Sequence, residues 1–83
     1  MMNRMWQEKN NYLVKEFDFD DFTQALEFVG KVDLIAAKRN HHPSIQLEWE
    51  RVIIMLTTHE KGGITEEDHK LAEAIDAIPS VPR

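Results

Sequence analysis

The chain alternates before it turns helical. Between residues 12 and 19, Leu13, Phe17 and Phe19 fall on one side while Glu16 and Asp18 fall on the other. That two-residue period is the mark of a strand with one buried face. Residues 5–9 read as a shorter strand, and Asn10-Asn11 reads as the tight turn joining the two, because Asn tolerates positive φ. The period then lengthens. Phe22, Ala25, Leu26, Val29, Val32, Ile35 and Ala36 recur at helical spacing. Asp20-Asp21 suit the start of that helix, as cap or as negative charge at the positive end of its dipole. The helix runs to about Arg39, roughly 20 residues and about 30 Å. Gly30 interrupts it at about 1 kcal/mol relative to Ala. Asn40 suits the C-cap, and Pro43 forbids continuation and biases His42 toward extended backbone.

Alternation returns with Ile45, Leu47 and Trp49 against Gln46, Glu48 and Glu50. Residues 52–56 are continuously apolar, which predicts a strand covered on both faces, by its own helices and by a partner subunit. A tight hairpin near Glu50-Arg51 connects the two strands, although no Gly, Pro or Asn marks it. Lys61-Gly62-Gly63 is a loop. Thr65 and Asp68 resemble a capping box with a shorter acid. Leu71, Ala72, Ile75 and Ile78 form the stripe of a second helix that Pro79 ends. The order β-β-α-β-β-α predicts an α+β fold, a four-stranded antiparallel sheet with two helices on one face.

At 83 residues the chain is one domain, 1–83, and buries only about 60% of the surface its unfolded form exposes. Self-association is a natural way to cover more. The net charge is −5 and the basic residues are scattered, which argues against direct nucleic-acid binding. Cysteine is absent, so disulfides and Cys-ligated zinc are excluded. The start, Met1 to Glu8, has no apolar core of a signal peptide, and no apolar run approaches the roughly 20 residues of a membrane span. The expectation is a cytoplasmic protein.

Candidate chemistry rests on histidine, which gives and takes protons near neutral pH. His41 and His42 sit at the expected end of the first helix, and His59 at the expected end of the apolar strand. Taken singly, these positions have plainer accounts. His41-His42-Pro43 serves as a helix stop, Asp68 as a cap, and Trp49 as core or pocket wall. His69 falls on the outer face of the second helix. A zinc site is a further possibility, but adjacent histidines rarely reach one ion and no H-E-x-x-H spacing is present. Gly62-Gly63 lacks the Lys-Ser/Thr of a phosphate loop.

The joint spacing is more specific. Five residues separate Pro43 from Trp49, nine separate Trp49 from His59, and eight separate His59 from Asp68. With Asn40-His41-His42-Pro43, this closely resembles the pterin-4a-carbinolamine dehydratase family. The likeness extends through Leu13, Phe17, Phe19 and Phe22, and through Thr57-Thr58-His59-Glu60 and Gly62-Gly63-Ile64-Thr65. Two positions depart from the family pattern: Ala37, where a polar side chain is usual, and Glu67, where animal members often have Arg. The resemblance implies loss of water from a 4a-hydroxytetrahydropterin to give quinonoid dihydropterin. A proton goes to the leaving oxygen and another leaves nitrogen, with no metal and no redox cofactor. It implies His41, His42 and His59 as catalytic residues. It also implies His41, His42, Pro43, Thr58, His59, Glu60 and Asp68 as substrate-binding residues, and a homodimer or homotetramer. Because animal relatives double as dimerisation cofactors of a transcription factor, it admits a non-catalytic interaction module as well.

Overall fold

The computed structural model describes residues 5–79; the first four residues of the stretch Met1 to Glu8, read above as lacking the apolar core of a signal peptide, lie outside them. Two strands, β1 (Gln7–Lys9) and β2 (Tyr12–Asp18), lead into helix α1 (Phe22–Arg39). Strands β3 (Ser44–Leu47) and β4 (Arg51–Leu56) follow, then a single 3-10 turn (His59–Lys61) and helix α2 (Glu66–Asp76). All pairings are antiparallel and the sheet order is β1-β2-β4-β3. This is the expected α+β fold.

Local chemistry explains the joints. Asn10 and Asn11 both take positive φ, 52° and 68°, so Lys9 pairs Tyr12 across a two-residue hairpin. Asp21 caps α1 by accepting the Gln24 backbone N–H at 2.9 Å. At the other end Asn40 is left-handed. The Asn40 N–H donates to Ala37 and the His41 N–H to Ala36, each at 3.1 Å. These two bonds form the Schellman closure that an αL residue permits, and they fix where the chain leaves the helix.

The core lies between the sheet and both helices. Val52, Ile54 and Leu56 from β4 meet Ala25, Phe28 and Val32 from α1 and Leu71, Ala72 and Ile75 from α2. Each large aliphatic side chain enclosed there contributes about 1.5–3 kcal/mol. Two expectations are corrected. Phe22 and Leu26 are 40% and 50% exposed, because the sheet covers only the side of α1 that carries Ala25, Phe28, Val32 and Ala36. In the run 52–56, Val52, Ile54 and Leu56 are buried beneath the helices, and Ile53 and Met55 are half-exposed on the opposite face, the one expected to meet a partner subunit. Trp49 departs from the expected alternation. It lies beyond β3 in the turn closed by Glu48 N–H to Arg51 C=O, 2.8 Å, 78% exposed, with its ring edge against Phe22. No helix among the described residues is long and apolar enough to cross a membrane.

Candidate active site

Three elements converge on one carboxylate. Asp68 is the third residue of α2 and is fully enclosed. Its Oδ2 accepts the backbone N–H of Thr65 at 2.8 Å and the hydroxyl of Thr58 at 2.7 Å. Thr65 Oγ1 lies 2.8 Å from Thr58 Oγ1. With the Thr58 proton spent on Asp68, Thr65 is the donor in that pair. The remaining oxygen, Oδ1, lies 2.6 Å from His41 Nε2. Burial alone raises the Asp68 pKa, but the bonds from His41, Thr65 and Thr58 outweigh it and hold the carboxyl below its ordinary value. Asp68 is therefore the acceptor, and His41 Nε2 carries the hydrogen. The first-turn position of Asp68 favours the same charge through the helix dipole.

The elements explain the meeting. Pro43 and the αL turn at Asn40 stop α1 and send His41 toward α2. Thr58 lies two residues past β4, in a backbone bridge with Gly63. Gly62 closes the intervening 3-10 turn at φ 77°, a conformation that suits glycine. His59 and Glu60 ride on that turn, both exposed. The His59 ring stands edge-on to Tyr12, centroids 6.3 Å apart. Thr57 donates to the Asn11 carbonyl at 2.8 Å, tying the same corner to the first hairpin.

The candidate residues thus fall into two groups. His41, Thr58 and Asp68 are joined by hydrogen bonds. His42 and Glu60 are exposed and Pro43 is half-buried, and none of the three enters that network. His59 lies one residue beyond Thr58, at the network's edge. Asp68 and Thr58 were expected to bind substrate. Here both are buried, with their polar atoms spent inside the protein, so they stand behind His41 rather than facing solvent. Three neighbours were not among the candidate site residues: Tyr12 beside His59, Thr65, read from the sequence only as a cap, and Glu67, noted only as a departure from the family pattern, whose Oε1 lies 4.0 Å from His41 Nδ1. Only the capping-box spacing of Thr65 and Asp68 signalled any of this. Ala37 is exposed. Among the described residues no three His, Cys, Asp or Glu side chains gather as a metal site.

Comparison with known proteins places this arrangement. The family profile described as Pterin 4 alpha carbinolamine dehydratase matches residues 1–78. A Prochlorococcus marinus (strain NATL2A) protein named "Putative pterin-4-alpha-carbinolamine dehydratase" is 49% identical over 76 residues, covering 92% of this chain and 80% of its own. A protein of the same name from Sulfurisphaera tokodaii is 44% identical, covering 93% and 85%. Among solved structures, a transcriptional coactivator/pterin dehydratase from Brucella melitensis superposes with TM-score 0.82 at 35% identity, over 87% of this chain and 79% of that one. A pterin dehydratase-like RuBisCO assembly factor of the alpha-carboxysome gives 0.71 at 25% identity, over 92% and 88%. A profile spanning nearly all the described residues, with relatives of this identity and coverage, means that the chain belongs to the pterin-4a-carbinolamine dehydratase family.

Proposed function

We propose that this chain is a hydro-lyase that removes water from a 4a-hydroxytetrahydropterin, a cytoplasmic step of tetrahydropterin recycling. The C4a–O bond breaks, a proton passes to the departing hydroxyl, and a proton leaves the ring nitrogen as the new double bond forms. Substrate becomes quinonoid dihydropterin and water, and the protein ends with the protons it began with. The observation that carries the reading is the 2.6 Å bond between His41 and the enclosed Asp68. An imidazole gripped this way is oriented for acid–base work. His59 is the second member of the proton-transfer pair, with His42, Pro43 and Glu60 lining the pterin. Loss of water changes no oxidation state and acid–base groups serve both proton transfers, so the proposed reaction uses no metal or redox cofactor. The test is direct formation of quinonoid dihydropterin by purified protein, before and after chelation. No turnover, or turnover that depends on a stoichiometric zinc, overturns the reading.

The proposal includes self-association. Phe22, Leu26, Gly30 and Leu34 recur every four residues along α1, and all are exposed. Leu26 and Leu34 stand four residues to either side of Gly30, where an added Cβ would meet nothing within 4 Å. An antiparallel second copy, with its two-fold axis at Gly30, sets Leu26 against Leu34. It also brings Asp21 of one α1 toward Arg39 of the other. Sedimentation should show a dimer or larger, and Leu26→Glu should shift it toward the 9.7 kDa chain. A monomeric wild type refutes this.

A second reading, a protein-interaction module without catalysis, draws on the same exposed face and on the coactivator and assembly-factor descriptions of the two solved relatives. Turnover that is absent in wild type despite intact His41 and His59 would favour it.

A further inference from the structure

Resting on the dehydratase reading of this site, we infer that Asp68 is a positioning residue that locks His41 in the Nε2–H tautomer, so that Nδ1 is the atom through which His41 trades protons with its ligand. The geometry leaves little choice. Nε2 is turned into the protein, 2.6 Å from Oδ1 of a carboxylate with no exposed surface. That oxygen has no proton to give, so the imidazole donates. Nδ1 lies on the other side of the ring, toward Glu67, whose side chain is 72% exposed. The 15% of the His41 side chain that solvent reaches belongs to a ring whose inner nitrogen is already engaged.

The network predicts what an amide would do in place of Asp68. Two donors, the Thr65 N–H and the Thr58 hydroxyl, aim at Oδ2. In Asp68→Asn they hold the amide oxygen at that position, which puts the NH₂ group against His41. An NH₂ group can only donate, so Nε2 must become the acceptor and the hydrogen must move to Nδ1. The substitution inverts the tautomer without removing any atom from the packing. A comparable Asp-to-Asn change beside the histidine of serine proteases leaves geometry intact and the tautomer wrong.

Long-range proton–nitrogen NMR of the ¹⁵N-histidine protein reads this without any turnover. At a pH where His41 is neutral, wild type should show a protonated Nε2 and a bare Nδ1. Asp68→Asn should show the reverse, with dehydration lowered about as far as in His41→Ala, about 10²-fold or more. Glu67→Gln should keep the wild-type tautomer, because that exposed carboxylate stands at 4.0 Å and makes no hydrogen bond. A wild type with the hydrogen on Nδ1 overturns the inference, and this needs no variant to fold. So does an Asp68→Asn protein that keeps the wild-type tautomer or turns over at the wild-type rate. If the tautomer inverts as stated but wild type forms no quinonoid dihydropterin, the lock stands and the dehydratase reading fails.

Discussion

Helix α2 carries an aspartate near each end, and the two hold it to the rest of the chain in different ways. Asp68 is enclosed, lies at the end where the helix dipole favours negative charge, and takes hydrogen bonds from three residues on two other segments. Asp76 is the last residue of α2, where the dipole disfavours it, and is 40% exposed. It accepts from Lys15 Nζ at 2.8 Å and Trp6 Nε1 at 3.0 Å. Lys15 also lies over the Trp6 and Phe17 rings, at 5.8 and 5.0 Å. The outer end is a docking clamp built from a long side chain and aromatic faces, tolerant of small shifts. The inner end is a short, fully satisfied network whose output is the orientation of one imidazole.

If that contrast is sound, disruption should be lopsided. The largest effect belongs to catalysis. His41→Ala should lower dehydration about 10²-fold or more with the fold intact, whereas Asp76→Asn should leave the rate unchanged; equal rate losses would erase the distinction. Stability comes next. Asp68→Ala strands buried donors and should cost about 1–3 kcal/mol, seen as a fall in Tm of roughly 4–8 °C per kcal/mol. Asp76→Ala breaks a half-exposed pair and should cost no more than about 1 kcal/mol. Acid sharpens the comparison. The folded Asp68 pKa lies below 3.8, so its contribution is full above that value and disappears as pH falls through the lowered one. The gap in unfolding free energy between wild type and Asp68→Ala should therefore be constant near neutrality and close at the acid end. A gap that widens in acid has the wrong sign. The smallest effect belongs to His69, exposed on α2; its replacement by Ala should change stability by no more than about 0.5 kcal/mol and leave the rate alone.

Joints were the most legible part of the sequence. Asn10-Asn11, Asn40 and Pro43 announce themselves because few residue types accept those backbone conformations, and each stands where expected. Which way α1 faces was half legible. Periodicity shows which side chains share a side of a helix, not how much of that helix its neighbours cover, so Phe22 and Leu26 were placed in a core that Phe28 fills instead. Lys15 was illegible. A cation at an inward strand position makes sense only once Trp6, Phe17 and Asp76 surround it. For the site, resemblance supplied His41, Thr58 and Asp68 as members of one motif. It did not supply the bond between the first and last, which are 27 residues apart. Nor did it show that Asp68 faces inward, because burial depends on how α2 settles against the sheet.

The central strand pair has a consequence for the order of assembly. The hairpins β1–β2 and β3–β4 close over short loops and can form in about 1–10 μs. The pairing of β2 with β4 sets Leu13 beside Leu56, and must first overcome the entropy of closing a long loop. The β3–β4 register, Ser44 against Met55, brings His41 and Thr58 to one corner early, but Asp68 joins them only as α2 settles on the completed sheet, so His41 meets its carboxylate late in folding. Pulsed hydrogen exchange during refolding can time this through the Thr65 amide, which Asp68 holds at 2.8 Å. That amide should gain protection after the two hairpins, together with the amides that bridge β2 and β4.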